Sequence, residues 1–321
     1  MTDLRPEPPN ATARTIAVAL ATNIGIAIAK VIAAAITGST AMTAEASHAL
    51  ADAGNQFLLL VASRRSVRVR DARHPFGYGR EAYFWALLAS VVVFVAGAVF
   101  SLREGVLELI HPAEASSFAV IYTVLTVSIM LDSVSLIRAV QQLRAEARVF
   151  RRDFLDHVVL TSDPTVRAVF AEDAVAIAGD VIAIAAVALH HATGSTAPEG
   201  WAAVMIGVML IGVGLHLARR NHDFLLGEQA SVSVKDDVRT FIAACAGVTA
   251  IVELSVSFVG PRQLWVLARI DIADDLRGDE VEVLVRSIES GLQQRSVYIG
   301  RVDVVPVGRP PNQTIPFADP G

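Results

Sequence analysis

Cysteine is all but absent from this 321-residue chain: Cys245 is its one thiol, which excludes an internal disulfide. Histidine stops at His222, so the last part of the chain lacks the residues for a histidine-based zinc cluster. Charge is scarce at 18%, against about 25% in soluble domains. What fills the space is apolar: 53% of residues are hydrophobic and the mean hydropathy is +0.51, where soluble domains hold about 45–50% apolar residues. The net charge of −5 offers nucleic acid no attraction. These proportions describe a membrane protein.

Six stretches are long enough for a bilayer core of about 30 Å, which takes roughly 20 helical residues. They run over Thr15–Thr37, Ala41–Ala62, Tyr83–Leu102, Phe118–Ile137, Val169–Leu189 and Trp201–Ala218. The second, fourth and fifth are interrupted by Glu45, His48, Asp52, Asp132, Glu172, Asp173 and Asp180. A carboxylate in mid-bilayer costs about 2.5–3.5 kcal/mol even on the mildest scale. These groups therefore belong to a polar seam between helices and not to a lipid-facing surface.

His48 and Asp52 are the most informative pair. Four apart on a helix, they stack on one face, and an imidazole with a carboxylate makes half of a tetrahedral divalent-metal site. Arginine orients the bundle. The connection after the second span holds Arg64, Arg65, Arg68, Arg70, Arg73 and Arg80, and that after the fourth holds Arg138, Arg144, Arg148, Arg151, Arg152 and Arg167. The opposite connections, Gly38–Ser39, His111–Ser116 and Thr193–Gly200, contain no Lys or Arg. The positive-inside rule puts both termini in the cytoplasm.

Residues 1–13, with Arg5, Glu7 and three prolines, read as a disordered leader, residues 14–222 as the transmembrane domain, 223–308 as a cytosolic domain and 309–321 as a disordered tail. In the cytosolic part, Val234, Val238, Phe241 and Ile242 share a helix face. Two alternating strands flank Gly260-Pro261, and Val281, Leu284, Val285, Ile288 and Leu292 mark a second helix before a strand near Tyr298–Val305. The order αββαβ predicts a small ferredoxin-like α+β layer.

Thr37-Gly38-Ser39, the His48-x-x-x-Asp52 pair, His74-Pro75-Phe76-Gly77-Tyr78-Gly79-Arg80, six spans and the αββαβ tail together resemble the cation diffusion facilitators, a family of divalent-metal/proton exchangers. Ala44 to Asp52 followed by Asn55-Gln56, with Asp163-Pro164-Thr165 and Glu172-Asp173-Ala174, resembles the zinc-transporter-nine-like branch. The resemblance implies a homodimeric exporter of a divalent cation, with zinc the expected cargo, in a plasma (inner) membrane, and a metal site between the second and fifth spans. His48, Asp52 and Asp173 match family ligands, but the position four before Asp173 is Val169. Glu172 leads the candidates for a fourth ligand, ahead of Asp180, Glu45 and water.

Carboxylate-rich sites also suit manganese, iron or cobalt. A membrane metal hydrolase and a non-transporting scaffold are the other classes. Asp71 and His74 match two ligands of a second family site whose third position is Tyr78, and the loop reads as structural. Lys30 and Asn23 are candidates to pair with buried acids, Asp132 to anchor helices, and Glu104 and Glu108 to sit at the interface. His111, His157, His190, His191 and His216 show no spacing partner.

The orientation has a direct test. With Cys245 replaced, an impermeant thiol reagent applied to intact cells should label a cysteine placed near Ala197 and spare one placed near Val69. The reverse pattern refutes it.

Overall fold

The computed structural model describes residues 9–112, 117–149, 153–296 and 298–308. Residues 1–8 of the expected leader, Arg151, Arg152 and the expected tail 309–321 lie outside them. The chain divides into two compact units, the first ending at Leu226 and the second beginning at Gly227.

Seven helices build the first unit: α1 (Pro9–Thr37), α2 (Thr40–Ser66), α3 (Glu81–Ile110), α4 (Phe118–Val149), the short α5 (Phe154–Leu160), α6 (Pro164–Thr193) and α7 (Ala197–Leu226). The six long ones contain the six expected spans and overshoot each of them. A helix of some 30 residues is about 45 Å long, so its ends pass beyond the hydrocarbon. α1 starts at Pro9, within the stretch expected to be leader; proline is well suited to a first helical turn. α7 continues past residue 222 until Gly227, whose φ of 92° stops the helix.

Five of the six long helices are apolar enough by length and composition to cross a membrane. α2 is not among them; its polar residues include Glu45, His48, Asp52, Asn55 and Gln56. It packs instead against α1, α3, α6 and α7. Apolar side chains such as Ile28, Val92, Val99, Ile137 and Val208 are exposed on the surrounding helices, as a lipid-facing belt requires.

In lipid the hydrophobic effect does not drive helices together, and small residues that let backbones approach take over. α7 places glycines seven apart, at Gly200, Gly207 and Gly214, against α3. A Cβ at 207 would lie 2.8 Å from Cγ of Leu102 and 3.2 Å from the Ala98 carbonyl, and one at 214 would lie 2.8 Å from Cβ of Phe94. Ser101 Oγ donates to the Ala203 carbonyl across the same contact at 3.0 Å. The α3–α7 pair is therefore a tight wall, with α2 and α6 packed beside it.

The second unit has the expected order: α8 (Val232–Ala243), β1 (Val248–Gly260), β2 (Gln263–Ile272), α9 (Gly278–Arg295) and β3 (Ile299–Pro306). β1 and β2 are antiparallel across a tight turn at Pro261-Arg262, and β3 joins β2 in parallel after the α9 crossover. Val256 opposes Val266, which in turn opposes Val302, and these pack with Ile242, Ile288 and Leu292 of the helices into one apolar core. Cys245 is partly buried and donates weakly to the Phe241 carbonyl at 3.4 Å. Burial pushes its thiol up, away from the thiolate a metal needs.

Gly207→Val should disrupt the α3–α7 wall and lower stability in detergent by about 1–3 kcal/mol, the usual range for overpacking. Val208→Leu, on the exposed side of the same helix, should leave the melting temperature unchanged. Equal melting of both variants would disprove the close approach.

Candidate functional site

The Thr37-Gly38-Ser39 motif is a helix stop followed by a helix start. Gly38 adopts φ 66° and donates its N–H to the Ala34 carbonyl, and Ser39 caps α2 by accepting from the Met42 N–H at 3.2 Å. This cap sets the rotation of α2 and aligns Glu45, His48, Asp52, Asn55 and Gln56 along one buried face. Asp163-Pro164 does the same for α6: the Asp163 carboxylate accepts from the Thr165 and Val166 N–H groups, with proline in the first turn. α6 buries Glu172, Asp173, Ala176, Gly179 and Asp180. α2 and α6 pack against each other, so two acidic faces share one seam.

The four expected ligands all lie in that seam. His48 Nε2 is 3.2 Å from Oδ2 of Asp52, within ion-pair range, yet neither ring nitrogen meets hydrogen-bond geometry with any partner. Glu172 accepts from the Asn55 side-chain amide through Oε1, and its Oε2 has no partner. Asp52 Oδ1 and Asp173 Oδ2 are equally unsatisfied. Unpaired buried polar atoms are costly, and their concentration in one seam points to a ligand. A small cleft lined by Asn23, Lys30, Asp52, Asp132 and Ala176 adjoins it. Among the described residues, no three His, Cys, Asp or Glu side chains stand close enough together to hold a metal at once.

Residues 16–226 match the family model for the cation efflux transmembrane domain. The chain belongs to the cation efflux family. Its relatives include the mitochondrial proton-coupled zinc antiporter SLC30A9 of Xenopus laevis, 28% identical over 75% of this chain and 43% of that protein. The human protein of the same name is 33% identical over 60% of this chain and 34% of its own length. Metal tolerance protein C4 of Arabidopsis thaliana is 28% identical over 73% of this chain and 51% of its own. The chain thus spans about a third to a half of the length of these three relatives. The family and these relatives are membrane transporters, not enzymes, and the hydrolase alternative falls away.

Two candidate fourth ligands of this cation efflux protein are already engaged. Glu45 and Asp180 both hold the buried ammonium of Lys30, at 2.8 and 2.6 Å. The pairing of Lys30 with buried acids is as expected, and it leaves Glu172 as the one of the three acids that is not paired with that ammonium. Asp132 accepts from Ser128 on its own helix at 3.1 Å and lines the cleft, so it does not tie helices together through that bond. In the loop before α3, the Asp71 carboxylate accepts from the Tyr78 hydroxyl at 2.7 Å and from the His74 and Arg73 N–H groups. These bonds, Tyr78's first, hold its pKa down at about 2 and raise that of Tyr78. Asp71 is thus built into a turn.

Several pairings ran against expectation. Glu108 is buried and accepts from Thr40 at 2.6 Å. His190 has a partner: its Nδ1 is 2.6 Å from Oε1 of Glu199, whose other oxygen accepts from Ser39 and from the Ala41 N–H. His157 Nε2 is 3.4 Å from Oε2 of Glu146. Arg167, counted among loop residues, is buried in α6, donating to the Thr161 carbonyl and to Asn221. Each joins residues on different elements, which no periodicity in one helix can signal.

Gly179 is a checkable feature of the seam. A Cβ there would collide with Oε1 of Glu45, so glycine is what lets the Glu45 carboxylate reach across to α6. Gly179→Ala should force Glu45 away from Lys30 and lower the melting temperature in detergent, while Ala178→Gly should have less effect. An unshifted Gly179→Ala melt would contradict the contact.

Proposed function

We propose that this protein exports a divalent cation, zinc in the first instance, from the cytoplasm in exchange for protons, and that His48, Asp52, Asp173 and Glu172 bind the cargo between α2 and α6. The observation that carries this reading is the concentration of unsatisfied, buried donor atoms on those four side chains in one seam. One imidazole with carboxylates is an ordinary zinc donor set, and the same oxygens suit manganese, iron or cobalt. The relatives named as zinc antiporters favour zinc.

Coupling follows from the chemistry of the ligands. Imidazole ligates only when neutral, and its reference pKa is about 6.5. Cation and proton compete for the same nitrogen, so loading metal releases a proton wherever that nitrogen was protonated. Unloading into an acidic exterior lets a proton return, and the proton gradient then drives export. The arginine-rich loops favour a cytoplasmic location for both termini. The SLC30A9 relatives carry a mitochondrial designation, and residence in a plasma (inner) membrane belongs to the proposal. So does a homodimer in which the C-terminal domain supplies a contact.

Zinc uptake into proteoliposomes, with an opposed pH gradient, tests the reading. Asp52→Asn and Asp173→Asn should each reduce flux to background, because a neutral amide replaces a charged ligand oxygen. Glu172→Gln should be equally severe if it is the fourth ligand, and milder, about 10- to 100-fold, if its Asn55 bond makes it a supporting group. Near-normal transport by Asp52→Asn sinks the site, and flux insensitive to pH between about 5.5 and 7.5 sinks His48 as the exchange point.

A further inference from the structure

We infer that Lys30 is a tethered counter-cation: it fills a second carboxylate pocket in the α2–α6 seam and thereby limits each chain to one bound metal ion. This rests on the reading of His48, Asp52 and Asp173 as cargo ligands.

The pocket is built like a cation site. The Lys30 ammonium, carried on α1, sits between Oε2 of Glu45 on α2 at 2.8 Å and Oδ1 of Asp180 on α6 at 2.6 Å. All three side chains are buried to within 1%. Each carboxylate uses only one oxygen on the ammonium. Glu45 Oε1 and Asp180 Oδ2 have no hydrogen-bond partner. Two carboxylates thus meet at one buried cation, each with a second oxygen that makes no hydrogen bond, and paired carboxylates are donors a divalent ion also takes. Gly179 leaves the space that lets Glu45 reach there.

Its placement makes the filling consequential. Glu45 lies one turn before His48 on α2, and Asp180 lies two turns after Asp173 on α6, on the same buried faces. Lys30 and Asp52 line one cleft. A cation entering the seam would therefore meet a second anionic pocket one or two turns from the first. A divalent ion held by two buried carboxylates would leave slowly, and a transporter needs release as much as binding. The ammonium offsets one of the two carboxylate charges, occupies the place between them and cannot diffuse away.

The residue type fits the task. Of 27 basic residues only Lys30 and Lys235 are lysines; the rest are arginines. An ammonium is a compact point charge that fits where a metal ion would, whereas the planar guanidinium prefers side-by-side pairing with a carboxylate. A purely structural staple between three helices would not require two carboxylates with idle oxygens.

Metal content of the purified full-length protein, measured after equilibration with zinc or manganese, decides between these roles. Wild type should hold one ion per chain, lost in Asp52→Asn. Lys30→Met should hold two, and Lys30→Met with Asp52→Asn should keep one. Adding Glu45→Gln and Asp180→Asn to Lys30→Met should remove the extra ion. If Lys30→Met gains no ion, the inference is overturned while the Asp52 site stands. If the wild-type ion survives Asp52→Asn but Lys30→Met still gains one, the cargo reading fails and the filled pocket holds. Should Lys30→Met purify poorly, its melting in membranes is followed against added metal. A rise in melting temperature larger than that of wild type supports the pocket, and a rise no larger refutes it.

Discussion

Charge buried in a medium that cannot solvate it is the constraint on which the rest of this structure depends. α2 carries Glu45, His48 and Asp52 into the bilayer and is too polar to face lipid. It must be enclosed, and α1, α3, α6 and α7 enclose it. The Lys30–Glu45–Asp180 triad shows how part of that charge is tolerated: one ammonium answers two carboxylates, and three helices are tied at one point. Breaking such a group leaves an uncompensated charge, which is far costlier than never having built it.

Enclosure has to be achieved without a hydrophobic driving force, since lipid is as apolar as leucine. Alanine and glycine do it by shape. The α7 glycines meet α3 closely, and alanines such as Ala41, Ala44, Ala49 and Ala183 are buried elsewhere in the bundle. The C-terminal unit works by the opposite rule. Its core of Val, Ile and Leu side chains between sheet and helices is held by transfer of apolar area from water.

The seam between α2 and α6 has two regions of different character. In one, a lysine ammonium pairs with one oxygen of each acid. In the other, His48, Asp52, Glu172 and Asp173 keep donor atoms idle, and no three of these side chains converge. A preassembled tetrahedral cage would bind zinc tightly and release it reluctantly. On the proposed reading, ligands that must be drawn together give a site whose affinity changes with the separation of two helices, a property that suits alternating access.

The sequence by itself determined the class of this protein. Apolar runs of about 20 residues require spanning helices, and the spacing of Glu45, His48 and Asp52 determined that α2 has a polar face. Local motifs were also decisive: Gly38-Ser39 and Asp163-Pro164 end and begin helices by chemistry contained in a few adjacent residues. The alternating and 3.6-period patterns after Gly227 gave αββαβ for the same reason, because each element's period reports its own buried face. Tertiary structure alone decided which acids are free. Lys30 lies 15 residues from Glu45 and 150 from Asp180, and Ser39 lies 160 from Glu199. Periodicity says which way a side chain faces along one helix; which partner stands opposite depends on how helices pack, and that is set by close contacts such as those of Gly179, Gly207 and Gly214 with neighbours far away in the chain.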